Sequence, residues 1–168
     1  MTTLVIVALL IVIVAAGYLL LEKRPGYGVY YGLAKLTGAR LDIGQVDWAT
    51  LRRHRTPNDA LVCPAQQCPQ AKSDREAPIF ALEPSALLAR LREVARADAN
   101  TVELPGERDT ARFIQYTRLM RYPDTIDIEV FPVGGQATLA IYSRSLIGHG
   151  DFGVNRARIE RWLAALAR

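Results

Sequence analysis

The chain has 168 residues, half of them hydrophobic, with 21 basic against 17 acidic side chains and a net charge of +4. That length suits one domain rather than two. The charge is modest and dispersed, without an extended basic run or interleaved aromatic and basic residues. No nucleic-acid platform is expected, only a mildly basic solvated surface.

The chain opens on an uncharged run, LVIVALLIVIVAAGYLLL, from Leu4 to Leu21. As a helix it rises about 27 Å, close to the hydrocarbon thickness of a bilayer. It is apolar all round, which argues against an amphipathic helix lying on a surface. Residues 4–21 are therefore expected to be a single-pass transmembrane anchor in the cell (inner) membrane, with the lipid bilayer as its partner. A cleaved signal peptide is the competing reading. Ala15, Ala16 and Gly17 offer small residues for cleavage, but Tyr18 to Leu21 carry the apolar run past them, and only the α-amino group supplies positive charge in front.

Sidedness is divided. Lys23, Arg24, Lys35 and Arg40 follow the span and favour a cytoplasmic domain by the positive-inside rule. Cys63 and Cys68 are the only cysteines and lie close enough in sequence to bridge if the loop turns back. A bridge would favour an oxidising, periplasmic side.

Residues 22–44 read as a juxtamembrane linker, and the domain is expected over 45–168. Pro25, Gly26 and Gly28 break the first helix. Tyr27, Tyr30 and Tyr31 read as an interfacial aromatic group, and Val29 to Leu36 as a short helix on the membrane. Asp47 to Leu51 has the form of a capped turn, with Trp48 as its core anchor. Residues 55–78, rich in proline and turn formers, read as a long loop pinned by the cysteines.

Regular periodicity starts at Glu83. Leu87, Leu88, Leu91, Val94 and Ala95 recur at helical spacing up to Ala97, with Pro84 in the first turn. Val102 and Leu104 alternate with polar neighbours, and 111–120 reads as a strand. Ile126, Ile128 and Val130 alternate with Asp127 and Glu129, and Leu139 and Ile141 repeat the pattern after Gly134-Gly135, a strong hairpin signal. From Asp151 to Ala167 the helical period returns through Ile159, Trp162, Leu163 and Leu166. The expected fold is α+β: an antiparallel sheet of about four strands covered by two helices and preceded by one transmembrane helix.

Candidate chemistry is sparse. Ser143 or Ser145 with His149 and Asp151 supplies the residue types of a nucleophilic triad, but the histidine and aspartate sit two apart in a glycine-flanked turn and no G-x-S-x-G elbow is present. Asp151 is equally suited to capping the last helix. Cys63, Cys68, His54 and His149 offer metal-ligand types without the second local pair that structural zinc needs. No haem-attachment motif, redox C-x-x-C or glycine-rich phosphate loop occurs, so no cofactor is expected. Asp127 and Glu129, with Asp124 nearby, offer acid–base chemistry or simply the wet face of a strand, where Arg112 and Arg118 could pair with them. Arg118, Arg121 and Arg144 are candidates for collecting an anionic group. With His149 and Asp151 they are the candidate interaction residues.

The segments PNDALVCPAQQC, APIF (77–80) and RLMRYPDTIDIEVFPVGGQATLAIYSRSLIGHGDFGVNRARIERWL (Arg118 to Leu163) resemble the bacterial and chloroplast family known as domain of unknown function 1499 (DUF1499). The resemblance spans roughly residues 45–166. It implies a domain boundary and a frequent N-terminal membrane segment, and it brings no activity or cofactor with it. The expected function is a membrane-anchored, non-enzymatic scaffold or assembly protein with a membrane-protein partner. The alternative is a binding module for a lipid or other amphiphile, and a hydrolase is the weakest reading. An accessible apolar cavity would favour the amphiphile module, and a closed core with an exposed apolar patch the scaffold.

Overall fold

The computed structural model describes residues 2–21, 34–38, 42–53, 55–118 and 121–168. Helix α1 (Thr2–Leu21) forms from the uncharged run, which contains no proline. Its side chains are exposed from Leu4 to Ala16. Among residues described down to their side chains (Leu4 to Gly17 in this helix), no helix is long and apolar enough to cross a membrane. The breakers Pro25, Gly26 and Gly28 and the tyrosines 27, 30 and 31 lie outside the described residues. Of the helix expected from Val29 to Leu36, only its end is described, as a helical turn over 34–37.

The sheet is larger than the alternation suggests. Its strands are β1 (Asp59–Val62), β2 (Ile79–Phe80), β3 (Thr101–Leu104), β4 (Thr110–Tyr116), β5 (Pro123–Val133) and β6 (Gln136–Ser145). Five of them run antiparallel in the order β1-β6-β5-β4-β3, and the two-residue β2 pairs with β6 on the same edge as β1. The four expected strands are β3 to β6. The two additional ones come from the segment read as a loop and from the chain just after it. DALV shows no alternation because Ala60, Leu61 and Val62 are buried on both faces, so the period-2 signal is absent.

The β5–β6 hairpin forms where expected. Gly134 and Gly135, at φ 54° and 79°, make a two-residue turn between Val133 and Gln136 that suits the twist of the flanking strands. Strand β4 stops at Tyr116, short of the expected Met120. Thr117 and Tyr122 close a loop there by a 2.9 Å backbone bond and a 2.9 Å bond from the Tyr122 N–H to the Thr117 hydroxyl.

Two amphipathic helices, α2 (Pro84–Ala97) and α3 (Val154–Leu166), cover one face of the sheet. Leu87, Leu88 and Leu91 from α2 meet Ile159, Trp162 and Leu163 from α3 over Phe113, Ile126, Ile128, Leu139 and Ile141. Trp162 stacks edge-on to Phe113 at 5.8 Å and donates its indole N–H to Asp98 at 2.8 Å.

The second face corrects the sequence reading. It is not a wet face. Val46, Trp48 and Leu51 pack with Leu61, Cys63, Cys68 and Tyr142 into a second apolar cluster, so residues 42–53 and the chain after β1 form a third layer. The turn at Asp47 is built as expected: its carboxylate accepts from the Ala49 N–H at 3.1 Å and from the Thr50 hydroxyl at 2.8 Å. Asp127, expected in solvent, is 2% exposed beneath this layer.

Trp162→Ala is expected to destabilise the domain by about 3–5 kcal/mol, through lost area and lost contact with Phe113. Arg161→Ala, which removes an exposed pair with Asp98, should cost no more than about 1 kcal/mol. Thermal unfolding of the full chain in detergent tests both, and an unchanged transition for Trp162→Ala contradicts the core assignment. Burial alone would raise the Asp98 carboxyl, but hydrogen bonds from Trp162 and Arg161 hold it below its ordinary value of 3.8. The stability it contributes is complete above pH 3.8 and is lost as pH falls through the depressed folded value. Trp162→Phe removes one of those donors, so it should flatten the acid limb of the profile of Tm against pH.

Candidate functional site

The polar residues fall into buried networks on the two faces of the sheet and an exposed cluster of loops at one end. On the helix side, Asn155 and Arg158 lie three apart on α3, within the stripe that also carries Ile159 and Trp162, so both face the sheet. Arg158, 1% exposed, donates to Gln115 of β4 at 2.6 Å, to Asp124 of β5 at 2.7 Å, and to Ser143 of β6 and Asn155 at 2.6 Å each. The amide of Asn155 donates to Ser145 at 3.0 Å and to the Asn58 carbonyl at 3.1 Å. Both serines of the triad reading are thus held in a structural network. His149 is exposed in the loop after β6 and is bonded to neither. Asp151 accepts from the N–H groups of Gly153 and Asn155 at 2.9 and 2.8 Å, so it satisfies a first-turn donor of α3 from two residues before the N-cap, Gly153. These residues do not converge on a reacting centre.

On the outer face, Arg112 bridges Asp127 at 2.8 Å and Asp42 at 2.7 Å. Arg144 lies over the Tyr142 ring and reaches Asp127 at 3.3 Å, Thr125 at 3.2 Å and the Gly44 carbonyl at 3.1 Å. Burial pushes the Asp127 carboxyl up, opposed by its bond from Arg112 and by the charge of Arg144. Next to them, Asp59 accepts from the Tyr142 hydroxyl and from Arg53, both at 2.6 Å, and Arg53 also binds Asp74 at 2.8 Å. Burial and the Asp59 carboxylate raise the Tyr142 phenol above its ordinary value. Asp127 therefore serves as an internal counter-ion that ties residues 42–44 to the sheet. Of the two arginines expected to pair with the strand carboxylates, Arg112 does so, while Arg118 is exposed beyond the end of β4.

Cys63 and Cys68 form a disulfide, with Cα atoms 6.2 Å apart. The intervening CPAQQC turn is closed by the N–H groups of Gln67 and Cys68, which donate to the Pro64 carbonyl at 2.9 and 3.2 Å. No group of three metal-ligand side chains occurs among the described residues. Beside the disulfide lies an open groove of about 780 Å³, walled by Pro64, Ala71, Lys72, Ala77, Ile79 and Val133.

The exposed cluster comprises residues 55–57, residues 117, 118, 121 and 122 between β4 and β5, and residues 146–153. Asn58 holds the first to the third, donating to the Gly148 carbonyl at 2.9 Å, and the Leu146 N–H reaches the Pro123 carbonyl at 3.3 Å. Here Phe152 is fully exposed at φ 53°, followed by Gly153 at φ 78°. Val154, Ile147 and Tyr122 are exposed at the same end. So are Arg55, Arg118 and His149. Arg121 turns inward, donating to Asn100 at 2.8 Å and lying over the Tyr116 ring. Of the candidate interaction residues, this end gathers Arg118, His149 and Asp151, while Arg121 and Arg144 are buried.

A family model described as a protein of unknown function (DUF1499) matches residues 54–166. The chain belongs to the DUF1499 family. No curated protein matches it. The DUF1499 match takes in every strand, the disulfide, α2 and α3, and leaves α1 and the covering segment 42–53 outside it.

Sequence reading missed Asn155, Arg158 and Asp124 as a unit. The signal was present in the α3 stripe, where an amide and a guanidinium occupy inward positions. Arg158→Met should cost about 3–5 kcal/mol, because it strands the Asp124 carboxylate without its cation. Adding Asp124→Asn should recover part of that loss. Urea unfolding of both single variants and the double variant measures it, and a double-variant loss equal to the sum of the two single losses would show that the pair is not coupled.

Proposed function

We propose that this DUF1499 protein is a membrane-tethered, non-enzymatic interaction domain, a scaffold or assembly module working at the membrane face. The observation that carries this reading is the combination of a core closed on both faces of the sheet with a fully exposed Phe152 at one end. The pocket between α3 and β1 holds about 110 Å³, small against the several hundred of a typical ligand site, and apolar side chains gathered at a surface mark a contact site. The buried serines and the exposed His149 give no support to hydrolysis.

The tether reading rests on the uncharged run Leu4 to Leu21 and on α1 itself, which is apolar on all sides and needs apolar surroundings. The Cys63–Cys68 bridge supports the oxidising side of that membrane against the opposing bias of Lys23, Arg24, Lys35 and Arg40. The groove beside the disulfide favours a second reading, uptake of an amphiphile along Ile79 and Val133. Native mass spectrometry that found a single-chain amphiphile on the purified protein would shift the weight to it.

Alkaline carbonate extraction tests the tether: the full chain should stay with the membrane pellet, and release into the supernatant overturns it. Alkylation of protein quenched directly in cells tests the side. The expected result is no labelled thiol without reductant and two with it. Two labelled thiols without reductant would remove the case for the oxidising compartment.

A further inference from the structure

Phe152 occupies a backbone position that its side chain does not explain. With φ at 53° and the next residue at 78°, the turn asks for Asn-Gly or Gly-Gly, and a left-handed conformation is unfavourable for a phenylalanine. The ring is fully exposed and contributes nothing to either core cluster. Folding therefore selects against the side chain at this position, and neither core cluster accounts for it.

The charge around it is mainly positive. Arg55 and Arg118 are exposed on two of the loops. Asp98 and Asp124 at this end are offset by cations, Arg161 and Arg158, while Asp151 accepts from two backbone N–H groups and keeps its charge beside Phe152. The surface presented outward is apolar at its centre and cationic at its rim.

The tether joins the domain close by. Gly44 is bound by Arg144, the penultimate residue of β6, and β6 runs directly into the loop that carries Phe152. Residues 22–41 can extend to at most about 70 Å, so α1 and this end can meet one surface. The patch is small. A stable protein complex buries about 800 Å² on each partner, which a few apolar side chains on loops do not supply. A tethered domain needs far less, because its second contact is intramolecular and benefits from a high effective concentration.

We propose that these loops dock on the bilayer that holds α1, with Phe152, flanked by Ile147 and Val154, entering the interfacial layer and Arg55 and Arg118 facing anionic head groups. This rests on the tether reading above. Aromatic rings are at home at head-group depth, and cations near an anionic surface add to the attraction.

The test uses the full chain reconstituted into phosphatidylcholine vesicles, with and without phosphatidylglycerol, and with normal or brominated acyl chains. In Phe152→Trp, the emission added over wild type should fall by about half in brominated, phosphatidylglycerol-containing vesicles, as expected for an indole at interfacial depth. It should recover in high salt or on adding Arg55→Glu and Arg118→Glu. Phe152→Asn suits the positive φ, so it should unfold at a higher temperature than wild type while losing the vesicle-dependent hydrogen-exchange protection of residues 146–153. Unquenched emission overturns the proposal, and a blue-shifted but unquenched indole does so in favour of a protein contact, including a second copy of this chain. Flotation of the same vesicles after an alkaline wash reads the anchor separately. Retention without quenching sinks the docking alone, and quenching without retention sinks the tether alone.

Discussion

A guanidinium taken out of water must find acceptors for its N–H groups, and Arg158 finds them on three strands at once. Gln115, Asp124 and Ser143 come from β4, β5 and β6, and Asn155 from the same helix completes the set. The lateral order of the central sheet and the position of α3 are therefore fixed by one side chain. A shift of α3 by one turn, or of β5 by one residue, would leave a buried charge without its partner at a cost of several kcal/mol. Apolar packing around Trp162 supplies most of the favourable area, but it tolerates small slips that the ionic contact does not. The network on the outer face repeats the arrangement with Asp127 at its centre, where Arg112 and Arg144 converge from β4 and β6.

What the sequence made legible follows from this division. The β5–β6 hairpin, α2 and α3 were readable because each buries one stripe or one face, and a single period then dominates. Asp127 was misread as solvent-facing for the same reason: alternation separates the two faces of a strand and does not say whether the polar one is covered. Its cover includes the segment that carries Asp42, which is 70 residues from Arg112 in the chain, a distance over which no local pattern operates. Strand β1 escaped notice because both of its faces are buried and the alternation vanishes. The serine, histidine and aspartate gathered in sequence are separated by the fold between a buried network and an exposed loop.

The functional reading rests on the same physics. A sheet layered on both sides has spent its interior on stability, which leaves the rim for contacts with other molecules. The rim is not uniform: one end carries the proline-rich disulfide turn and its groove, the other the loops around Phe152. The family match spans both ends but not α1.

The outer layer also sets how the domain responds to mechanical load. Tension drawn through residues 22–41 enters at Asp42 and Gly44, where the chain is held by side chains of Arg112 and Arg144 rather than by a strand ladder. The force meets these contacts one after another, and then the packing of Trp48 and the Arg53–Asp59 pair, before it reaches the backbone bonds between β1 and β6. Contacts loaded in series give way singly and at low force, whereas a ladder pulled along its strands resists as a whole. Segment 42–53 therefore acts as a slack reserve. Under such a load it would peel from the sheet and release about 40 Å of chain at full extension, ahead of the helices and the central strands.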